Sequence, residues 1–332
     1  MGDHLPFLAY RCFLKRRTAV ARYIVRRIFF IIPVALLVSF MTFMIIHLIP
    51  GDPARLFLGE SATPQTVAAL RQQLGLDQPL PIQFGIWLWQ GVHGNLGQSI
   101  QLQQPVLQAI LDRLPVTVEL GVASLLYSLI IAVPFGIYAA AHRNAWINKV
   151  VNVVSLLGTA IPSFVLGLVL ILLFAVSLRI FPPGGYVPFS DDPLGNLRDL
   201  ILPVITLGTG SVAVNMRQIR ASMSEVLSQD YIRTARAKGL AEKRVNYTHA
   251  LRNAVIPVLT IVGLQIGAIL AGAFVVETIF LWPGIGQLAV LSIQAKDYPL
   301  VEGVVLLAAL SYMATNLLVD ICYVILDPRI RL

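Results

Sequence analysis

The chain has 332 residues, 57% of them hydrophobic and 13% charged, about half the charged share of a soluble domain. In so apolar a chain the formal charge of +8 points to basic loops held on the cytoplasmic face of a membrane, and nucleic acid is not expected as a partner. Two cysteines, Cys12 and Cys322, and five scattered histidines indicate neither a disulfide framework nor a metal cluster.

Residues 1–27 form a basic leader, with Arg11, Lys15, Arg16, Arg17, Arg22, Arg26 and Arg27 against Asp3 alone, which predicts a cytoplasmic N terminus. A cleavable signal peptide fits less well. The apolar run that follows is about 21 residues, longer than a usual signal core, and no small-x-small cleavage site comes after it.

Apolar stretches at 28–48, 116–141, 150–178, 200–216, 258–280 and 300–326 are each long enough to cross a bilayer, which takes about 20 residues. The predicted fold is an all-α integral membrane protein with six transmembrane helices. Both termini are cytoplasmic, and a helical extracytoplasmic cap lies between spans one and two. Pro115, Pro203 and Pro257 each precede Val at the start of an apolar run, where a fixed φ and a missing N–H suit the first helical turn.

The connection 51–114 is too long for a simple helix–helix loop. In it, Thr63 reads as an N-cap, Pro64 as a first-turn residue, Val67, Leu70 and Leu74 as one face, and Gly75 as a stop. Trp87 and Trp89 suit a membrane surface. The stretch QPVLQAILDRLP reads as a third short helix leading into span two. Both this connection and the one near 179–199 are slightly acidic and belong outside. An ordered cap that only packs on the bundle and a docking surface for a soluble partner both fit this composition.

The segment 224–256 differs from its surroundings. With residues just before it, it carries Arg217, Arg220, Arg233, Arg236, Lys238, Lys243, Arg244 and Arg252 against Glu225, Asp230 and Glu242, which places it inside. Leu227, Tyr231 and Ala235 fall on one helical face, Arg233 and Arg236 on another, and Gly239 ends the helix. A second short helix is expected over 242–253, before Pro257 opens the next span. Such an insert suits a partner's groove, and equally a basic helix lying on anionic lipid.

Ionisable groups inside apolar spans cost about 2.5 to 3.5 kcal/mol for Asp at a helix centre. Glu119, Glu277 and Glu302 are expected near the outer ends of their spans, within reach of water. Asp320 should lie roughly 9 Å from the inner end of span six. With Asn316 one turn earlier, it is expected to pair with Arg217 or Arg220 rather than to line a cargo path. Gly263, Gly267 and Gly272 place small residues on span five, the first two at GxxxG spacing. They suit a subunit interface or ordinary packing within the chain.

The stretch DYIRTARAKGL, Asp230 to Leu240, followed by ALRNAVIP, resembles the EAA coupling segment of type I ABC-importer permeases in its dipeptide, oligopeptide and nickel variant. Aligned on Gly239, the Glu-Ala-Ala positions of the general pattern are Arg233, Thr234 and Ala235, so only Ala235 matches literally. HLIPGDPARL, LRQQLGLDQPL, HGNLGQSI, ETIFLWPGIGQL, KDYPLVEG and NLLVDICYVILDPRIR are similar to the same branch in the same order. The resemblance implies a non-enzymatic, pore-forming subunit of a bacterial inner membrane. It comprises a first span with its outer loop (28–114), a five-span permease core (115–328) and a tail (329–332).

It implies as partners a homologous second permease, two ATPase subunits and an extracytoplasmic substrate-binding protein. ATP and Mg would be held by the ATPases, and no cofactor by this chain, which lacks a G-x-x-x-x-G-K-[ST] loop. Asp230, Tyr231, Arg233, Thr234, Ala235, Lys238, Gly239, Leu240, Arg252, Asn253 and Pro257 are the residues it implicates in coupling. Short peptides are the expected cargo, with glutathione, nickel or another small solute as alternatives. A self-sufficient secondary transporter or channel would be expected to show inverted repeats and charges at mid-bilayer. An intramembrane enzyme would need a catalytic constellation. Neither is visible.

Overall fold

The computed structural model describes residues 26–27, 29–44, 47–48, 54–55, 62–142 and 145–326. The basic leader up to Val25 and the tail lie outside the described residues. Those described are mainly helical, without a β-strand among them, and Gln98 and Pro105 form an isolated bridge. In chain order the helices are α1 (Phe29–Met44), α2 (Pro64–Leu74), α3 (Leu80–Val92) and α4 (Val106–Ala141). Next come α5 (Ala145–Ala160) and α6 (Ser163–Leu170), which runs on as a π-helical stretch, Ile171–Ser177. Then follow α7 (Pro193–Leu227), α8 (Asp230–Ala237) and α9 (Glu242–Arg244). A second π-helical stretch, Val245–Ala250, joins α9 to α10 (Leu251–Ile279), and α11 (Ile285–Gln294) and α12 (Tyr298–Leu326) complete the set.

Among the described residues three helices are long and apolar enough to cross a membrane: α4, α7 and the Tyr298–Val319 part of α12. The pair α5–α6 makes a fourth if counted as one broken span. The 150–178 run, expected as one span, is bent by 100° between Ala160 and Ser163. Pro162 explains the break, because residues before a proline are pushed out of the α region.

The three helix-start prolines are also placed differently. Pro115, Pro203 and Pro257 all lie inside helices. The true starts are upstream, at Val106 after Pro105 and at Pro193 after the Asp192 N-cap, whose carboxylate accepts from Leu194 N–H at 3.1 Å. Packing by neighbouring helices and local π adjustments make internal prolines tolerable in membrane helices. α9, the second π stretch and α10 accordingly run on without a break at Pro257. The third cap helix is likewise the first turns of α4.

α7 is the hub, touching α4, α5, α6 and α10. It approaches α4 and α5 closely because glycine stands at the crossings. A Cβ on Gly136 would lie 2.8 Å from Ile219, one on Gly208 2.6 Å from Tyr127, and one on Gly158 2.9 Å from Ala213. With little hydrophobic drive between helices in lipid, such close van der Waals contact is a main source of association. At 36 and 35 residues, α4 and α7 are each over 50 Å long at about 1.5 Å per residue, against a hydrocarbon core of about 30 Å. Their ends therefore stand clear of it.

The cap matches its sequence signals. Thr63 and Thr66 form a reciprocal capping box, Pro64 follows the N-cap, and Gly75 closes α2 at φ 67°. Val67 is buried. Phe43 of α1 packs on Phe84 and Trp87 of α3, and His47 is hydrogen-bonded to Gln83 at 3.1 Å. Trp89 is exposed.

Candidate functional site: the insert and the capped end

α8 is short and polar, yet one side of it is buried. Ile232 and Ala235 join a cluster with Ile137, Ala139 and Ala140 of α4 and Met216, Ile219 and Met223 of α7. Val245, Ala250, Ala254 and Val258 complete that cluster from the chain that follows the insert. The inward face is thus Ile232 with Ala235, and Tyr231, placed by spacing on the same face as Ala235, is 44% exposed. The phenol oxygen of Tyr231 instead accepts from Asn253 Nδ2 at 2.8 Å, tying α8 to α10.

Gly239 ends the helix at φ 77°, with its N–H donating to Arg236 carbonyl at 2.9 Å. The left-handed conformation is the reason for glycine here. A second strut crosses the turn, where Arg236 donates from Nε to Glu242 Oε1 at 2.8 Å and from Nη2 to Oε2 at 3.3 Å. Asp230, Arg233, Thr234, Lys238, Gly239 and Arg252 remain on the exposed side, and Leu240 is half-buried. Pro257 lies farther along α10 and is exposed. The arrangement is a short helix that sits on the Val245–Ala250 stretch, with its buried side in a cluster shared with α4 and α7 and its outer face polar and open.

The other predicted groups are dispersed. Arg220 donates to Asn152 Oδ1 at 2.7 Å, linking α7 to α5, and Arg217 is exposed. Asn316 lines a groove between α1 and α12. The side chain of Asp320 lies outside the described residues. Gly263 and Gly267 face α12 of the same chain, where an added Cβ would overlap Val319 and Tyr312 respectively. The surroundings of Gly272 lie outside the described residues.

At the opposite end of α10 lies a polar assembly that the sequence reading left unresolved. Glu277 is fully buried, and Glu302 is 6% exposed, so neither stands in water as expected. The Glu277 carboxyl accepts from Gly286 N–H at 2.7 Å and Gln287 N–H at 3.0 Å, in the first turn of α11, and from Thr117 hydroxyl at 2.7 Å. Thr117 in turn accepts from Ile285 N–H at 2.8 Å. Three of the four unpaired donors at the start of α11 are thereby satisfied by side chains from α10 and α4. Gly284 is required by contact, since a Cβ would overlap the Glu277 carboxyl. The Trp282 indole N–H donates to Val116 carbonyl at 3.1 Å, and Arg113 reaches Pro283 carbonyl at 3.2 Å.

Two further links close this end. Asp297, 1% exposed, accepts from Ser99 hydroxyl and Gln101 N–H at 3.1 Å, and its other oxygen accepts from Leu300 N–H at 3.3 Å, capping α12. Tyr186 stacks edge-on against Trp282 and donates to Glu119 at 3.2 Å. Burial, then the Glu119 charge, raises the Tyr186 phenol above its usual pKa of 10.0, so it stays a donor. Asp297 before Tyr298–Pro299 was a legible N-cap signal. Glu277 had no such local signal, because its partner Thr117 is 160 residues away.

Among the described residues no group of three or more His, Cys, Asp or Glu is placed to hold a metal ion. Comparison with known proteins fits the geometry. The pattern of the family described as "Binding-protein-dependent transport system inner membrane component" matches residues 132–332, and that of its N-terminal companion matches 20–121. A Brucella abortus protein provisionally named as a peptide transport system permease is 46% identical over 308 residues, covering 93% of this chain and 98% of the relative. A glutathione transport system permease protein (GsiC) and a dipeptide transport system permease protein (DppB), both from Escherichia coli, are each 41% identical with the same coverage. With a short polar helix whose buried side shares a cluster with two long ones, a bundle built on apolar helices and these matches along nearly its whole length, the chain belongs to the inner-membrane permease components of binding-protein-dependent ABC transport systems.

Proposed function

We propose that this chain is the pore-forming half of an ATP-driven importer for dipeptides or short oligopeptides in a bacterial inner membrane. It works with a homologous second permease, two ATPase subunits that bind ATP and Mg, and a soluble receptor on the outer face. Six spans cross the bilayer, both termini are cytoplasmic, and the α2–α3 cap faces outward. The chain hydrolyses nothing itself. The carrying observation is the insert: α8 and its C-cap present Asp230, Arg233, Thr234 and Lys238 outward, while Ile232 and Ala235 belong to a buried cluster shared with α4, α7 and the Val245–Ala250 stretch that α8 touches. A displacement of α8 by a closing ATPase pair therefore passes first to the Val245–Ala250 stretch that leads into α10, and through the shared cluster to α4 and α7. The named cargo of the relatives, dipeptides and glutathione, supports a small peptide as solute.

The test is reconstitution. The purified chain alone should move no solute, and the complex with its ATPases and receptor should accumulate dipeptide only when ATP is present. Uptake by the lone chain would remove the proposal. Identifying the ligand that co-purifies with the cognate receptor would decide between dipeptide and glutathione.

A further inference from the structure

Neither the insert nor the capped end makes use of the basic leader, which carries seven Lys and Arg residues from Arg11 to Arg27. About four to eight such residues immediately cytoplasmic of a spanning helix form an attachment point for anionic lipid. The last of them, Arg27, lines a groove of about 630 Å³ between α1 and α12, to which α10 adds Leu264. Arg26 is held beside it, because its guanidinium carbon lies 5.6 Å from the centre of the Phe30 ring and Phe30 lines the same groove. Both arginines are exposed.

The rest of the groove is apolar and of a definite depth. Its α1 side is formed by Arg27, Phe30, Ile31, Val34 and Val38, spaced as one helical face. From Arg27 to Val38 that face is about 16 Å long at about 1.5 Å per residue. One leaflet is about as deep, half of a hydrocarbon core of about 30 Å. The chain does not cover this face itself, since Phe30 and Val34 are 55% and 49% exposed, and Tyr312 across the groove is 48% exposed. Among the described lining residues Arg27 alone is charged, and it stands at the start of the α1 face. Tyr312 and Asn316, one turn apart on α12, add a hydroxyl and an amide, both able to donate to an ester carbonyl.

We propose that the groove between α1 and α12 is a binding site for one anionic phospholipid, whose phosphate meets Arg26 and Arg27 and whose acyl chain lies along Phe30, Val34 and Val38. The site rests on the six-span topology proposed above, in which α1 crosses the bilayer with its start on the cytoplasmic side. A cationic end on an apolar slot one leaflet deep matches an anionic amphiphile. A helix of a second permease would cross both leaflets and would need a seam continuing beyond Val38. Each basic side chain near an anionic leaflet strengthens attachment roughly fivefold, so the two arginines distinguish an anionic from a neutral lipid.

The assembled transporter, titrated in neutral detergent with phosphatidylglycerol or phosphatidylcholine and read by native mass spectrometry, tests the site. Phosphatidylglycerol should bind the more tightly. Arg26→Gln should weaken it roughly fivefold, and Arg26→Gln with Arg27→Gln roughly 25-fold, with phosphatidylcholine unchanged. Val34→Trp, which fills the slot from an exposed position, should lower occupancy by both lipids, and a benzophenone placed at Val34 should crosslink to lipid. Equal binding of the two lipids by the unmodified complex, unchanged phosphatidylglycerol affinity in the double variant, or a crosslink to the second permease overturns the site. Displacement of phosphatidylglycerol by inorganic phosphate overturns it too, since the acyl chain would then contribute nothing. Topology is read separately, from Cys12 in a Cys322→Ser background. Labelling of Cys12 by an impermeant thiol reagent outside intact spheroplasts would overturn the cytoplasmic N terminus, a failure distinct from loss of lipid selectivity.

Discussion

α10 connects two short helices that are held in different ways. Near its start, α8 meets the Val245–Ala250 stretch and shares a buried cluster with α4 and α7 through Ile232 and Ala235, with hydrogen bonds only at its edges. Near its end, α11 is fixed by a buried carboxyl and a threonine hydroxyl that take up its first three N–H groups. Apolar contact is non-directional and tolerates a small slide, whereas buried hydrogen bonds specify one arrangement and are costly to leave unmade. The capped end is therefore the more closely specified of the two, and the insert end is the one that the proposed coupling would displace.

The largest effect should follow from breaking the frame. Glu277→Ala leaves two N–H groups and the Thr117 hydroxyl without their acceptor, at about 1–3 kcal/mol for each buried unsatisfied group. We expect a loss of several degrees or more in the thermal midpoint of the purified complex, together with loss of uptake. A Glu277→Ala complex as stable as wild type would dissolve the contrast. Asp297→Ala should come next, at about 2 kcal/mol, because it removes a helix cap and the tie to Ser99 and Gln101. Calorimetry of the complex, or protease sensitivity of the 97–105 loop, would register it.

Gly239→Val probes the other side. The φ of 77° imposes strain on any β-branched residue, about 1–2 kcal/mol, but nothing stands within 4 Å of a Cβ there. The expected outcome is a complex that inserts and unfolds nearly as wild type but hydrolyses ATP with little or no uptake, or loses its ATPases on purification. Normal transport by this variant would remove the lever and favour a helix lying on lipid.

Much of this contrast was legible from the chain and some was not. The break at Gly239, the Thr63 cap and the helical class follow from short-range signals that act within one turn. Of the face read as Leu227, Tyr231 and Ala235, Leu227 and Ala235 pack on the buried cluster while Tyr231, amphipathic, stays exposed, and Ile232, which that spacing did not pick out, is buried in its place. Pro115, Pro203 and Pro257 looked like helix starts because a proline's local preference does not reveal whether neighbouring helices will tolerate it inside. Hydropathy ran smoothly through 150–178 because it reports solubility in lipid and carries no direction, so the bend at Pro162 was hidden. Thr117 with Glu277, and Asn215 with Gln265, are pairings across 160 and 50 residues, set by packing that no local pattern encodes.

The smallest expected effect sharpens the comparison most finely. Arg236 and Glu242 form a two-point contact across the Gly239 turn, yet their side chains are 41% and 61% exposed. Surface pairs of this kind contribute about 0–1 kcal/mol and weaken with salt, so Arg236→Ala should hardly move the thermal midpoint. If the pair only decorates the surface, uptake will be unchanged as well. If it keeps the turn stiff enough to pass a push from α8 into α10, then ATP hydrolysed per dipeptide delivered should rise in Arg236→Ala and, in the unmodified complex, rise with ionic strength. An Arg236→Lys variant should recover only part of the loss, since a lysine cannot reproduce the two-point contact. Equal coupling in all three proteins would mean that the apolar floor of α8 transmits the motion alone.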